Sequence, residues 1–231
     1  LPEPGDALPE PAVYVPEPET APQASDDEIP KYLWMDSMED MLADDGIYGS
    51  FYTFDEVAAM IETIIGKGPE PDAILHIPMS EYVINKFVKT DARHFRDTLD
   101  LAVESSVPVL KAFLPGMKKR RYGRVVFVLS SVTQGPVPPY QSAYVMGKYA
   151  MLGLMKSLAS EYDGSGICIN GVSPDMIRTG YLSSISDHLI EQYEASRPTG
   201  RLLEVADVVP GILRLLSDDA DCPNGANIVI G

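Results

Sequence analysis

From residue 53 onward, apolar positions alternate between the spacing of a helix face and that of a strand. Val57, Met60, Ile61 and Ile64 recur every three or four residues, as one face of a helix does. Thr53 and Glu56 have the spacing of a capping box at its start, and Gly66-Lys67-Gly68-Pro69 ends it. Residues 72–77 are a short apolar run stopped by Pro78, which predicts a buried strand. Residues 91–117 read as mostly helical, with Leu99, Val103, Val107 and Leu110 on one face. Pro108 either kinks that stretch or marks the true start of its helix. Strand, helix and strand follow over residues 123–129, 142–162 and 167–172. A helix-rich lobe spans 181–193. A last helix is expected over 205–216 and a last strand over 226–230.

Strands alternating with helices predict an α/β fold: a doubly wound, Rossmann-like, mostly parallel sheet covered on both faces. Ligands in such sheets bind beyond the carboxyl ends of the strands. Ser131, Pro174 and His76 fall near that edge.

The N-terminal part breaks the pattern. Residues 1–30 hold eight prolines, which exclude a helix over most of that stretch. We expect an acidic, Pro-rich arm over 1–30, followed by one α/β domain over 31–231 with a truncated or atypical start. Within these parts, residues 12–15 and 31–35 are short strand candidates. The net charge is -16, and residues 1–60 account for most of it, with 15 Asp/Glu against one Lys. Such acidity repels phosphates and argues against a nucleic-acid partner. The basic run from Lys118 to Arg121 suits a helix C-terminus. No apolar run reaches the length of a membrane span. The two cysteines, Cys168 and Cys222, suggest neither a disulfide framework nor a metal site, and Cys168 reads as a core thiol. The expected compartment is the cytoplasm. His76, His94 and His188 read as structural or surface residues.

Candidate chemistry sits between the strand at 123–129 and the helix that follows. Ser131 closes the strand, and Tyr144 and Lys148 lie four residues apart, one helical turn, on one face. An ammonium beside a phenol favours the phenolate and makes it a usable acid or base. The serine hydroxyl can hold a substrate oxygen. Ser131 precedes Tyr144 by 13 residues, and Tyr144 opens a Y-x-x-x-K motif. In these features the chain resembles the short-chain dehydrogenase/reductase family. Residues 167–174, 197–206 and 224–231 resemble later segments of that family.

The resemblance implies a small-molecule substrate, with Ser131, Tyr144 and Lys148 as catalytic residues. It further implies that Lys148, Pro174 and Thr179 contact NAD(P), and that the protein assembles as a homo- or hetero-oligomer, a dimer or tetramer. The chain departs from the family at its nucleotide site. No glycine-rich turn G-x-x-x-G-x-G occurs before residue 53, where the only glycines are Gly5, Gly46 and Gly49. His76-Ile77-Pro78-Met79 replaces the usual N-N-A-G. Ala102 stands where the family has a catalytic Asn, and Asp175 replaces the Gly after Pro174. These departures imply an atypical NAD(P) site, or none.

Three readings follow. The first is an oxidoreductase of carbonyl compounds and secondary alcohols, or a subunit of one. The second is a cofactor-independent lyase, because residues 117–131 and Gly135-Pro136 also resemble halohydrin dehalogenases, although Lys148 stands where those enzymes have Arg. The third is a non-catalytic subunit of a heteromeric enzyme.

Overall fold

The computed structural model describes residues 54–67, 70–78, 83–180, 182, 185–217 and 223–231. The expected acidic arm, the strands at 12–15 and 31–35 and the Thr53–Glu56 capping box lie outside the described residues or side chains.

Four parallel strands form one sheet in the order β1-β2-β3-β4. They are β1 (Ala73–His76), β2 (Gly123–Val128), β3 (Ile167–Pro174) and β4 (Asn227–Ile230). The helices are α1 (Phe54–Lys67), α2 (Ala92–Leu99), α3 (Ser106–Arg120), α4 (Ser142–Glu161), α5 (Asp187–Ser196) and α6 (Val205–Leu216). Parallel neighbours need crossovers, and these helices supply them. The expected Rossmann-like arrangement is therefore present in the described part of the chain.

Every residue of β2 is buried, because helices cover both sides of the sheet. Its side chains divide by the two-residue period of a strand. Val125, Phe127 and Leu129 join Phe113, Met117, Met151 and Met155 from α3 and α4, and Ile61 and Ile64 of α1 pack on this cluster. Val126 and Val128 face the other way, with Val172, onto Val208, Ile212 and Leu215 of α6. Burying each such side chain contributes about 2 kcal/mol.

Residues 92–120 do not form one regular helix. Between α2 and α3 lies a π turn, Asp100–Glu104. Pro108 falls in the first turn of α3, so of its two expected roles it marks a start. Arg121 stops α3 in a left-handed conformation, φ 57°. Tyr122 N–H returns to Met117 O, as in a helix-ending turn. Gly166 (φ 88°) enters β3 against this turn, and a Cβ there would lie 2.1 Å from Arg121 O. Cys168, on β3, is disulfide-bonded and not the free core thiol expected. Among the described residues no helix is long and apolar enough to cross a membrane.

Candidate active site

Three elements meet at the carboxyl end of the sheet. β2 runs through Leu129 and Ser130 into a 3₁₀ turn, Ser131–Thr133. Ser130 Oγ accepts from Val132 N–H at 3.5 Å and so caps the turn. Beneath it lies a closed set of polar side chains. Thr133 Oγ1 is 3.1 Å from Ser173 Oγ, Ser173 donates to Asn227 Oδ1 at 2.8 Å, and Asn227 Nδ2 donates to Thr133 Oγ1 at 3.2 Å. These bonds tie the turn to β3 and β4 without an unpaired polar atom in the set.

α4 brings Tyr144 and Lys148 to this turn on one face, as the four-residue spacing requires. Lys148 is buried, and its Nζ donates to Val128 O at 3.0 Å. Burial lowers its pKa to about 8. The Nζ lies 5.8 Å from the centre of the Tyr144 ring. Burial raises the pKa of Tyr144, and a hydrogen bond with the Ser130 side chain offsets part of that rise. This corrects the expectation that Lys148 depresses the phenol. The ammonium is directed at a strand carbonyl, so desolvation dominates the phenol.

Ser131 donates to Asp175 Oδ1 at 3.2 Å. Asp175 follows β3 directly, is 9% exposed, and also takes Tyr193 Oη on Oδ1 and the Arg197 guanidinium on Oδ2. Its N–H donates to Ile230 O at 2.8 Å. Through Tyr193 and Arg197 it holds the end of α5 against the sheet edge. Leu182, Ile185 and Leu202 pack there with Met176, Ile190 and Tyr193, which gives the expected lobe an apolar core of its own. Pro174 is buried at the end of β3, paired with Ile230. Thr179 is half-buried in the following loop, and its carbonyl accepts from Leu182 N–H at 3.1 Å.

Ser130, which the sequence did not single out, bonds the Tyr144 side chain. His76 is structural, as expected, at the end of β1. Its Nε2 lies 3.1 Å from Ala102 O in the π turn, and its ring meets Phe127 edge-on at 5.5 Å. A carbonyl only accepts, so Nε2 carries the proton. Burial lowers the His76 pKa to about 4, and nearby Lys148 pushes it the same way. No cluster of three or more His, Cys, Asp or Glu suited to a metal occurs among the described residues.

Residues 52–231 match a family model described as enoyl-(acyl carrier protein) reductase. The chain belongs to the short-chain dehydrogenase/reductase family. Among curated relatives, the oxidoreductase UcpA of Salmonella typhimurium is 40% identical over 121 residues, 52% of this chain and 43% of that protein. The 3-oxoacyl-[acyl-carrier-protein] reductase FabG of Haemophilus influenzae is 30% identical over 144 residues, 62% of this chain and 59% of that protein. The chain thus spans less than half the length of the UcpA proteins it matches. Among solved structures, ElxO with NADP bound superposes with a TM-score of 0.69 at 24% identity, covering 76% of this chain and 72% of that one. Levodione reductase gives 0.70 at 23% identity, over 76% and 71% of the two chains.

A nicotinamide nucleotide fits the residues of this edge in one half only. Tyr144 and Lys148 bring a phenol and an ammonium together near the carboxyl end of β2. Among the described residues no glycine-rich turn links a strand to a helix for a pyrophosphate. Asp175 sets a carboxylate, held by Arg197, at the same edge.

Proposed function

We propose that this chain carries an oxidoreductase site for carbonyl compounds and secondary alcohols, with Tyr144 as its acid/base. The observation that carries the reading is the convergence of Tyr144 and Lys148 with the Ser130-Ser131 end of β2. A nicotinamide nucleotide supplies or removes the hydride. Were the nucleotide bound, it would deliver that hydride to the carbonyl carbon, while Tyr144 gives its proton to the carbonyl oxygen and an alcohol results. Solvent then reprotonates Tyr144. The raised pKa keeps Tyr144 protonated at neutral pH, the state a proton donor needs. Lys148 supplies positive charge beside the phenol as it loses its proton. The nucleotide site is atypical, with Asp175 and its Arg197 partner at the edge. A dehalogenase-like lyase would use a serine and Tyr144 without a nucleotide. Lys148, buried beside the phenol, favours the redox reading.

Calorimetry with NADH and NADPH, followed by turnover of a ketone panel at the nicotinamide absorbance band, tests this. Binding in the micromolar range and measurable turnover are expected. Tyr144→Phe should fold, keep nucleotide affinity and lose about a hundredfold or more in turnover. Halide release without any nucleotide, or no nucleotide binding at all, would replace the oxidoreductase reading.

A further inference from the structure

Apolar burial holds α5 at the sheet edge only weakly. None of its residues is buried. Ile190 and Tyr193 are its contribution to the small cluster of Leu182, Ile185 and Leu202. Polar fastenings supply the rest, and they form an outer and an inner group. In the outer group Arg178, which is exposed, pairs with Glu194 of α5 and lies 3.5 Å from Glu204. Exposed pairs of this kind are screened by salt and weak.

The inner group centres on Asp175, which is buried. Its N–H donates to Ile230 O at 2.8 Å, so its backbone is fixed at the end of β3. Its carboxylate takes Tyr193 Oη from α5 and the guanidinium of Arg197, the residue that ends that helix. Arg197 also lies over the Tyr193 ring, 5.5 Å from its centre. Removing one partner of a buried ion pair is far more disruptive than removing one of an exposed pair. Oδ1 of the same carboxylate accepts from Ser131 at 3.2 Å, so this clasp stands one hydrogen bond from the serine turn. We propose that Asp175 is a positioning residue that fastens the α5 lobe beside the serine turn before any ligand arrives, so that a ligand meets a preformed wall. The ligand is then spared the ordering of the lobe and binds more tightly for it. The consequence for turnover rests on the oxidoreductase reading, and the fastening itself does not.

Native-state hydrogen exchange of the ligand-free chain tests the fastening. Asp175→Asn keeps an oxygen that accepts from Ser131 and Tyr193 and removes the ion pair. Amides of α5 should then exchange at least about tenfold faster, while those of β2 keep their wild-type rates. Arg197→Gln should do the same, and the double variant should add little to either, because both break one contact. Arg197→Lys keeps the charge and should stay closer to the wild type than Arg197→Gln. Arg178→Gln removes the exposed pairs and should accelerate α5 by less than about fivefold. Unchanged α5 exchange in Asp175→Asn, effects that multiply in the double variant, or acceleration spread equally to β2 would overturn the assignment. With a ketone that turns over, Asp175→Asn should raise KM about tenfold and change kcat less than about threefold, since saturating substrate restores the closed lobe. A loss of kcat at unchanged KM would also overturn it. A wild type without turnover would instead overturn the oxidoreductase reading, and the exchange rates would still decide the fastening.

Discussion

His76 illustrates how one enclosed side chain can set the acid limit of the molecule. Its folded pKa is about 4, against 6.5 for an ordinary histidine. As pH falls below 6.5 the unfolded chain takes up a proton that the folded one refuses. Stability therefore falls between 6.5 and 4, and the loss is complete below 4. The full shift corresponds to at most about 3 kcal/mol. Lys148 has the same sign in another window, since stability should rise as pH climbs from about 8 to 10.5. Urea midpoints measured across pH for the wild type and His76→Met check the first window. The variant loses its bond to Ala102 O at every pH, which is a constant offset. What it should lack is the additional fall between 6.5 and 4. Parallel curves would mean that His76 takes up its proton as readily in the folded chain as in the unfolded one.

At the scale of elements, α4 contains a matched pair of glycines. A Cβ on Gly147 would lie 2.8 Å from Thr98 Cγ2 and 3.5 Å from Ala102 Cβ, where α2 and the π turn cross α4. Thr98 cannot easily yield, because its hydroxyl donates to His94 O at 2.7 Å. A Cβ on Gly153 would meet nothing within 4 Å. Gly153→Ala should therefore stabilise by about 0.5–1 kcal/mol, the helix-propensity gain. Gly147→Ala should destabilise by about 1–3 kcal/mol through overpacking. Equilibrium urea unfolding of both variants gives the two signs directly. Elements of this kind were largely legible in the sequence. The span of α6 matched its apolar period, and the runs for β1, β2 and β3 ended within two residues of the observed strands. The π turn was not legible, because Leu99, Val103 and Val107 keep an ordinary helical spacing through it. Neither was the bond from Ser131 to Asp175, which depends on where β3 places that carboxylate. The Tyr144–Lys148 pair was legible because helix geometry alone fixes which residues share a face. The direction of the Tyr144 shift was not, because it depends on how deeply α4 packs.

For the whole molecule, the two apolar layers place the slowest motions at the centre of the sheet. Val125 and Val126 are fully buried, as are Ile169 and Val172, and β2 has a strand on each side. In native-state hydrogen exchange, amides of β2 and β3 should open only with global unfolding. Amides of β4, where Val229 is 49% exposed, should exchange sooner. Exchange from β2 as fast as from β4 would mean that the two layers do not unfold together. The π turn at Asp100–Glu104 also bears on how this chain can change length. A π turn holds one residue more than the α-helical turn it replaces. Deleting Ala102 would let α2 pass smoothly into α3, with Leu110, Phe113 and Met117 still directed at the sheet. Deleting Lys111 would instead turn every later side chain of α3 by about 100° about the helix axis. Phe113, Leu114 and Met117, all nearly inaccessible to water, would swing away from β2. A segment of five residues thus provides the one place between residues 92 and 120 where a codon can be lost while the hydrophobic face keeps its phase.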